Sequence, residues 1–372
     1  MIMNRWKKDL KKCVEINSYT HNKHGVERVG EVFEQWLKEL GFEVKRFERE
    51  LIGDHLLFLS PVSGKRERIL LLGHLDTVFP PGLFEEFRED EEWVYGPGVC
   101  DMKGGNIVAL EALRQLHEEF GKIEDIDFLL VSDEETGSDD SKQLTSELSK
   151  EYDKCFVFEA AGKNMEVVVG RKGIGTFEIA IEGRASHAGT SYEKGCDANL
   201  EAALKLQKLV SLTDLEKGST VNVGKIEGGA GANTISPHAK LLLEIRFADN
   251  KEKKRLMKAL EEIVEVSFVD GTTSLLGGSL QRDVMEPNAW QRELVAAMEK
   301  IAGVEISTEC RGGVSDANIV ASAGVVTIDG LGPYGDGDHT PSERALKRSF
   351  GERIELMSKV LAYHQRKGEI CG

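Results

Sequence analysis

His74 and Asp76 stand where the apolar run Ile69-Leu70-Leu71-Leu72-Gly73 ends. An imidazole with a carboxylate two residues on is a familiar beginning of a metal site, because the carboxylate can reach the second ring nitrogen, fix the tautomer and raise the basicity of the ligating one. Taken alone, the triplet reads as well as a solvated loop. Other stretches of the chain repeat the theme. Asp101 lies in Tyr95-Gly96-Pro97-Gly98-Val99-Cys100-Asp101-Met102-Lys103-Gly104-Gly105, where glycines and a proline let the backbone turn tightly and aim one carboxylate. Glu134 and Glu135 crowd Ser132-Asp133-Glu134-Glu135-Thr136-Gly137-Ser138, and such like charges repel unless a cation or a proton holds them. Glu159 closes the apolar stretch Cys155 to Phe158, and His339 stands in the turn Gly335-Asp336-Gly337-Asp338-His339-Thr340-Pro341-Ser342-Glu343.

These side chains act together only if the fold gathers them. Ile69 to His74, Ile126 to Val131 and Cys155 to Phe158 are short apolar runs of the kind found in strands buried on both faces of a parallel sheet, and ligands collect at the carboxyl ends of such strands. Three strands and one loop then deliver His74, Glu134 with Glu135, Glu159 and Asp101 to one edge. Val26, Val29, Val32, Phe33, Trp36, Leu37 and Leu40 recur at helical spacing up to Gly41, which gives an amphipathic helix with a glycine cap. Helices are also expected over 107–116, 142–148, 290–301 and 344–363, with strands at 42–47, 56–59 and 325–328. The loop at 95–105 opens a helix, but it matches neither glycine fingerprint for phosphate, and Asp101 would repel an anion.

After Val169 the pattern changes. Phe177, Ile179 and Ile181 alternate as in a half-exposed strand, followed by a helix at 199–212, strands at 220–226 and 239–247, and a helix at 253–264. That order begins a split β-α-β sandwich with antiparallel strands. The expected fold is therefore α/β, a mixed and mostly parallel sheet flanked by helices, with an inserted α+β ferredoxin-like domain. The expected division is 1–171 with 281–372 for the first domain and 172–280 for the insert.

The chain has 372 residues, 40% hydrophobic and 30% charged, with a formal net charge of −16. That length suffices for two substantial cores, and the charge argues against nucleic acid or an anionic membrane as partner. The polar, basic stretch Met1 to Leu10 is no secretory leader, and no apolar run approaches spanning length, so a cytoplasmic protein is expected. Cys13, Cys100, Cys155, Cys196, Cys310 and Cys371 form no close-spaced pair and read as reduced thiols; Cys100, beside Asp101, reads as buried packing.

Together, Gly73-His74-Leu75-Asp76-Thr77-Val78, Gly98-Val99-Cys100-Asp101-Met102-Lys103-Gly104-Gly105, Asp133-Glu134-Glu135-Thr136-Gly137, Gly183-Arg184-Ala185-Ser186-His187-Ala188-Gly189 and His339-Thr340-Pro341 resemble the zinc metallopeptidase family of glutamate carboxypeptidase, acetylornithine deacetylase and succinyl-diaminopimelate desuccinylase. Arg171-Lys172-Gly173, Gly312-Gly313-Val314-Ser315-Asp316-Ala317-Asn318 and Leu331-Gly332-Pro333 resemble the glutamate carboxypeptidase branch most. The resemblance implies two Zn²⁺ bridged by Asp101, one also held by His74 and Glu159, the other by Glu135 and His339. It implies Glu134 as general base, Asp76 as the partner of His74, and a cis peptide at Asp101-Met102. It further implies His187 as the histidine that crosses a dimer interface to stabilise the oxyanion, and Asn233 and Arg246 as substrate-binding groups. Gly313 would let the backbone approach the substrate. Independently, imidazole nitrogen and carboxylate oxygen suit zinc, and such a donor set suits two metal ions about 3.5–4 Å apart; Co²⁺ or Mn²⁺ are candidate substitutes.

The one departure is Ala160-Ala161 after Glu159, where many relatives carry a proline. Glutamate rather than aspartate at 159 follows the carboxypeptidases and deacylases, and favours a substrate with a free carboxyl group near the cut bond. The expectation is a homodimeric amidohydrolase, joined through the inserted domain, acting on a small peptide or an N-acyl amino acid. A di-metal phosphoesterase, which would need a cluster of cationic clamps, and a silent metal or amino-acid binding module are the competing readings.

Overall fold

The protein is described here by a computed structural model covering residues 2–64 and 66–370. The chain separates into two compact units, one of residues 1–170, 287–311 and 315–372, the other of residues 171–286 and 312–314.

The first unit is built on a six-stranded sheet in the order Glu43–Phe47, His55–Leu59, Ile126–Val131, Ile69–His74, Lys154–Val157, Val326–Ile328. The last four run parallel, and the first two add antiparallel at one edge. Ile69, Leu70, Leu71 and Leu72 are fully buried, each worth about 1.5–3 kcal/mol of apolar burial, so the strand ending in His74 is among the most firmly seated in the sheet. Its neighbours on either side end beside it, at Val131 and Val157. Helices Lys103–Phe120, Ala289–Ala302 and Lys347–Lys367 pack together, as do Ser141–Ser149 and Asp316–Ser322.

The second unit holds a four-stranded antiparallel sheet in the order Thr220–Gly228, His238–Phe247, Gly173–Glu182, Thr273–Arg282. Phe177, Ile179 and Ile181 share an apolar cluster with Leu241, Leu243 and Ile245 and with residues of helices Ala198–Val210 and Asn250–Glu265. Strand and helix alternate along the chain as β-α-β-β-α-β, a ferredoxin-like order. The fourth strand was not anticipated, because Leu275-Leu276-Gly277-Gly278 shows no alternation and reads as a turn. The unit also reaches beyond the expected insert. Arg171 and Met285 exchange backbone bonds of 2.9 and 3.0 Å, and two arginine side chains hold Gly312 and Gly313 to it, as described below.

Two corrections concern local structure. The last helix begins at Lys347 rather than Arg344, because Arg344–Leu346 first forms a strand against Trp93–Tyr95. An unforeseen helix, Ile2–Val14, occupies the basic N-terminal stretch. The five described cysteines are unpaired, and Cys371 lies outside the described residues. Among the described residues no helix is long and apolar enough to cross a membrane.

Candidate active site

His74 is the last residue of its strand and is almost wholly buried. Its ring is fixed from one side: Nδ1 lies 3.3 Å from Asp76 Oδ1 and 3.0 Å from the Asp76 carbonyl oxygen, which leaves Nε2 facing the cluster. Its backbone is held too. Asn106 Nδ2 donates to the His74 carbonyl at 2.6 Å, and the His74 N–H meets Met102 Sδ at 3.3 Å. Gly73 makes this approach possible, since a Cβ there would sit 2.0 Å from Asn106 Oδ1. Asp76 is itself saturated on its other oxygen, where Oδ2 accepts from Thr20 Oγ1 at 2.7 Å and from the Glu135 N–H at 3.2 Å.

Asp101 sits between the two histidines. Its Oδ1 is 3.3 Å from His74 Nε2 and its Oδ2 is 3.3 Å from His339 Nε2. The peptide bond Asp101-Met102 is cis. His339 Nε2 also lies 3.1 Å from Glu135 Oε2, and Glu159 Oε1 lies 3.9 Å from His74 Nε2. One ligand atom each from His74, Asp101 and Glu135 falls within 4.8 Å of the others. Glu134 opens the short turn Glu134–Thr136 that carries Glu135, and its charge raises the pKa of both Glu135 and Glu159. The loop after Glu159, where the proline is missing, is tied down by Gly332 N–H donating to the Glu159 carbonyl at 2.8 Å and by Ala161 N–H donating to Pro333 at 3.0 Å.

The proton affinities of these groups describe a site short of positive charge. Burial, and then the Asp101 charge, push Glu135 up to about 8 and Glu159 well above the carboxylate range. Burial opposes ionisation of Asp101, but the His339 and His74 imidazoles outweigh it and hold that carboxyl well below its ordinary value. His339 rises to about 11 through Asp101 and then Glu135. Burial opposes the His74 cation, yet Asp101 and Asp76 raise it well above its usual value. Carboxylates that must borrow protons, around one carboxylate whose two oxygens face two imidazoles, form a donor set that fits a pair of divalent cations.

Several residues that build the site escaped sequence reasoning. Thr20 and Asn106 carry no local signal. Lys103 lies two residues past Asp101, fully buried, and donates to the carbonyls of Cys13 and Ile16 at 3.1 and 2.9 Å; burial pulls its pKa down to about 8. Glu343 is buried four residues past His339 and accepts three backbone N–H groups of the Asp101 loop. Burial pushes its pKa up to about 7.

In the second unit, His187 pairs with Thr234 on a short two-stranded ribbon, and Ala188 N–H donates to the Asn233 carbonyl at 2.9 Å, so His187 and Asn233 are neighbours. Arg246 lies on His238–Phe247, one of the two inner strands of the four-stranded sheet. Its guanidinium binds Glu244 at 2.7 Å and donates to the Gly312 carbonyl at 2.8 Å, while Arg171 donates to the Gly313 carbonyl at 3.1 Å. A Cβ on Gly313 would find its nearest atom, Arg171 Nη1, at 4.0 Å, so among the described residues nothing crowds that position.

Residues 70–363 match the profile described as Peptidase family M20/M25/M40. Carboxypeptidase G2 of Pseudomonas sp. (strain RS-16) is 32% identical over 347 residues, covering 90% of this chain and 82% of that protein. A succinyl-diaminopimelate desuccinylase of Erythrobacter litoralis is 27% identical over 332 residues, covering 81% and 85%. Among solved structures, aminopeptidase PepT of Bacillus cereus superposes with a TM-score of 0.81 at 23% identity, covering 97% of this chain and 98% of that one. The M20 family metallo-carboxypeptidase Sso-CP2 of Sulfolobus solfataricus gives 0.73 at 15%, covering 96% and 98%. At those identities the structural likeness speaks to the fold alone.

Proposed function

The chain belongs to the M20/M25/M40 family of metallopeptidases, and from that premise we propose a two-metal hydrolase that cleaves an amide or peptide bond beside an amino acid with a free carboxylate. The observation that carries this reading is Asp101, whose two carboxylate oxygens each face a different imidazole Nε2 at 3.3 Å. His74 and Glu159 would hold one ion, Glu135 and His339 the other, and Asp101 both. Zinc is the proposed metal, with cobalt or manganese as candidate substitutes.

A metal pair bound there would acidify a shared water and polarise the scissile carbonyl. The chain's own residues supply the proton traffic. Glu134, adjacent to a ligand and close to Glu135 and Glu159, takes the proton of the attacking water and returns it to the leaving nitrogen. Asp76 holds the His74 ring so that Nε2, not Nδ1, faces the cluster. The proposal gives His187 the oxyanion, in trans across a homodimer joined through the second unit, and gives Asn233, Arg246 and the Gly313 backbone the substrate. Arg246 already shares its fork with Glu244, so a substrate carboxylate would meet an arginine partly committed to a neighbour. A cytoplasmic location is part of this reading.

Identity to carboxypeptidase G2 supports a carboxypeptidase; the desuccinylase relatives support a deacylase of N-acyl amino acids as the second reading. A mass-spectrometric screen of dipeptides, acetylated and succinylated amino acids and folate-type glutamates, run with zinc added and with zinc chelated, separates them. Phosphate esters in the same screen test the phosphoesterase alternative. Glu134→Ala is expected to keep its metal content and lose about 10²–10⁴-fold in turnover; near-normal turnover in the metal-loaded variant would remove Glu134 from the mechanism. Mixed dimers of His187→Ala with Glu134→Ala are expected to recover part of the activity, and a shortfall in verified mixed dimers rejects action in trans.

A further inference from the structure

We propose that Glu343 is a positioning residue of the metal centre, its carboxylate clamping the Gly98–Asp101 backbone to the His339 turn so that Asp101 meets both imidazoles at once. The proposal rests on the two-metal reading given above.

Glu343 is 1% exposed. Its Oε2 accepts the Gly98 N–H at 2.9 Å, and its Oε1 accepts the Cys100 N–H at 3.0 Å and the Asp101 N–H at 3.2 Å. Three convergent N–H groups make a concave nest for the carboxylate, and the Cys100 thiol is a further, weaker donor to Oε1 at 3.5 Å. Two facts give the contact a direction. Glu343 belongs to the same turn as His339: its own N–H donates to the Thr340 carbonyl at 3.1 Å, and Thr340 closes back on Gly337 at 3.0 Å through its N–H and 2.7 Å through its hydroxyl. On the far side of the clamp, the Asp101 side chain faces His74 and His339 at 3.3 Å each. One side chain therefore ties the loop of the shared ligand to the turn of an outer ligand.

The requirement for glutamate is chemical. Only a side chain with two acceptor oxygens takes all three N–H groups, since the amide of glutamine would turn a donor toward the Gly98 N–H. Aspartate is one carbon too short to reach the same loop from the same backbone. A bridging carboxylate tolerates less error than a terminal one, because a small rotation of its loop improves one oxygen's position only by spoiling the other's. Residues that orient ligands without touching the metal typically govern about 10–100-fold in metal affinity.

The test uses the full chain, stripped with a chelator and titrated with Co²⁺, for wild type, Glu343→Gln and Glu343→Ala. Calorimetry reads affinity and stoichiometry, the visible absorption of Co²⁺ reads coordination geometry, and thermal melts of the stripped proteins read stability. Glu343→Gln is expected to weaken Co²⁺ about 10-fold and Glu343→Ala about 100-fold, with altered absorption bands at both equivalents because Asp101 serves both. Wild-type affinities and bands in the variants, with only the stripped melting point lowered, would reduce Glu343 to a structural tie and overturn the proposal. Should the alanine variant not fold, the glutamine variant decides alone. Wild-type protein that takes up fewer than two equivalents would instead overturn the two-metal reading, and this proposal with it.

Discussion

The two histidines of the candidate centre make equal approaches to Asp101, yet they are built in opposite ways. His74 has a side chain 1% exposed, at the end of a fully buried strand, with its ring, carbonyl and N–H each engaged by a different neighbour. His339 has a side chain 58% exposed, in a turn, with a left-handed backbone at φ 61° that a non-glycine residue adopts only when its surroundings hold it there. One half of the centre is part of the core, and the other is a surface turn swung against it. The difference teaches that identical donor chemistry can be fixed by packing or by a few hydrogen bonds, and the two should respond differently to damage.

The largest expected effect is a split between His74→Ala and His339→Ala. The first opens a cavity and takes the imidazole away from the buried Asp76 Oδ1, leaving that carboxylate held through Oδ2 by Thr20 and the Glu135 N–H; breaking a buried pair in this way typically costs about 3–5 kcal/mol. The second opens no cavity but removes the partner of Asp101 Oδ2 and Glu135 Oε2, and is expected to cost the metal-free protein less, about 1–3 kcal/mol. Denaturant unfolding after chelation measures both. Equal losses would break the contrast between packed and tethered halves. Metal analysis sharpens it, with His339→Ala expected to keep the ion on the His74 side.

Next is a pH dependence confined to the stripped protein. Glu135, at about 8, and Glu159, well above its usual value, keep protons in the fold that the unfolded chain releases near 4.5. His74, well above 6.5, and His339, at about 11, do the same for an imidazole. A raised folded pKa contributes stability that is complete below the unfolded value and is lost as pH rises through the folded one. All four share that sign, so the stripped protein should weaken from about pH 4.5 upward and most clearly through pH 7–8. Asp101, held low, acts in the opposite sense only near and below 3.8. His339→Ala should flatten part of the alkaline limb, since it removes one of the two raised imidazoles. Unfolding midpoints with chelator across pH 5–9 read this directly, and a flat or rising profile contradicts it. Metal binding should release protons in the same window.

What could be read from the chain alone follows the same division. His74, Asp101, the pair Glu134 and Glu135, Glu159 and His339 stood out because each stands at a break in local pattern, the end of an apolar run, a glycine-rich turn or an acidic cluster, while the choice of Glu135 over Glu134 as ligand came from the family resemblance alone. The sheet was legible because Ile69 to Leu72 is short and apolar throughout and Ile126 to Val131 is apolar but for Asp127. Braces that reach across the chain were not. Thr20 lies 56 residues from Asp76, and Glu343 lies 242 residues from Asp101, and no periodicity connects such pairs. Glu343 did stand inside a stretch singled out for His339, so its spacing was visible while its partners were not. The strand Thr273–Arg282 was missed for a different reason: its two adjacent leucines and two adjacent glycines carry no period of two, and pairing with Gly173–Glu182 rather than patterning makes it a strand.

The smallest effect asks whether the two halves are separate at all. Thr20→Val keeps shape and deletes the hydroxyl that donates to Asp76 Oδ2 at 2.7 Å, and a bond to a charged acceptor is worth about 1.5–3 kcal/mol at most. Asp76 faces His74 through Oδ1, but Oδ2 also takes the Glu135 N–H at 3.2 Å, so the same carboxylate touches the ligand of each half. If packing dominates, the strand keeps His74 in place, Asp76 settles on the Glu135 N–H, and only the step that depends on His74 weakens, by less than about 10-fold. If instead both binding steps weaken together, the buried half is not independent: Asp76 transmits the loss to Glu135 and from there to His339, 3.1 Å away. Two-step Co²⁺ titration of Thr20→Val distinguishes a centre made of one rigid and one tethered half from a centre in which a single buried carboxylate sets both.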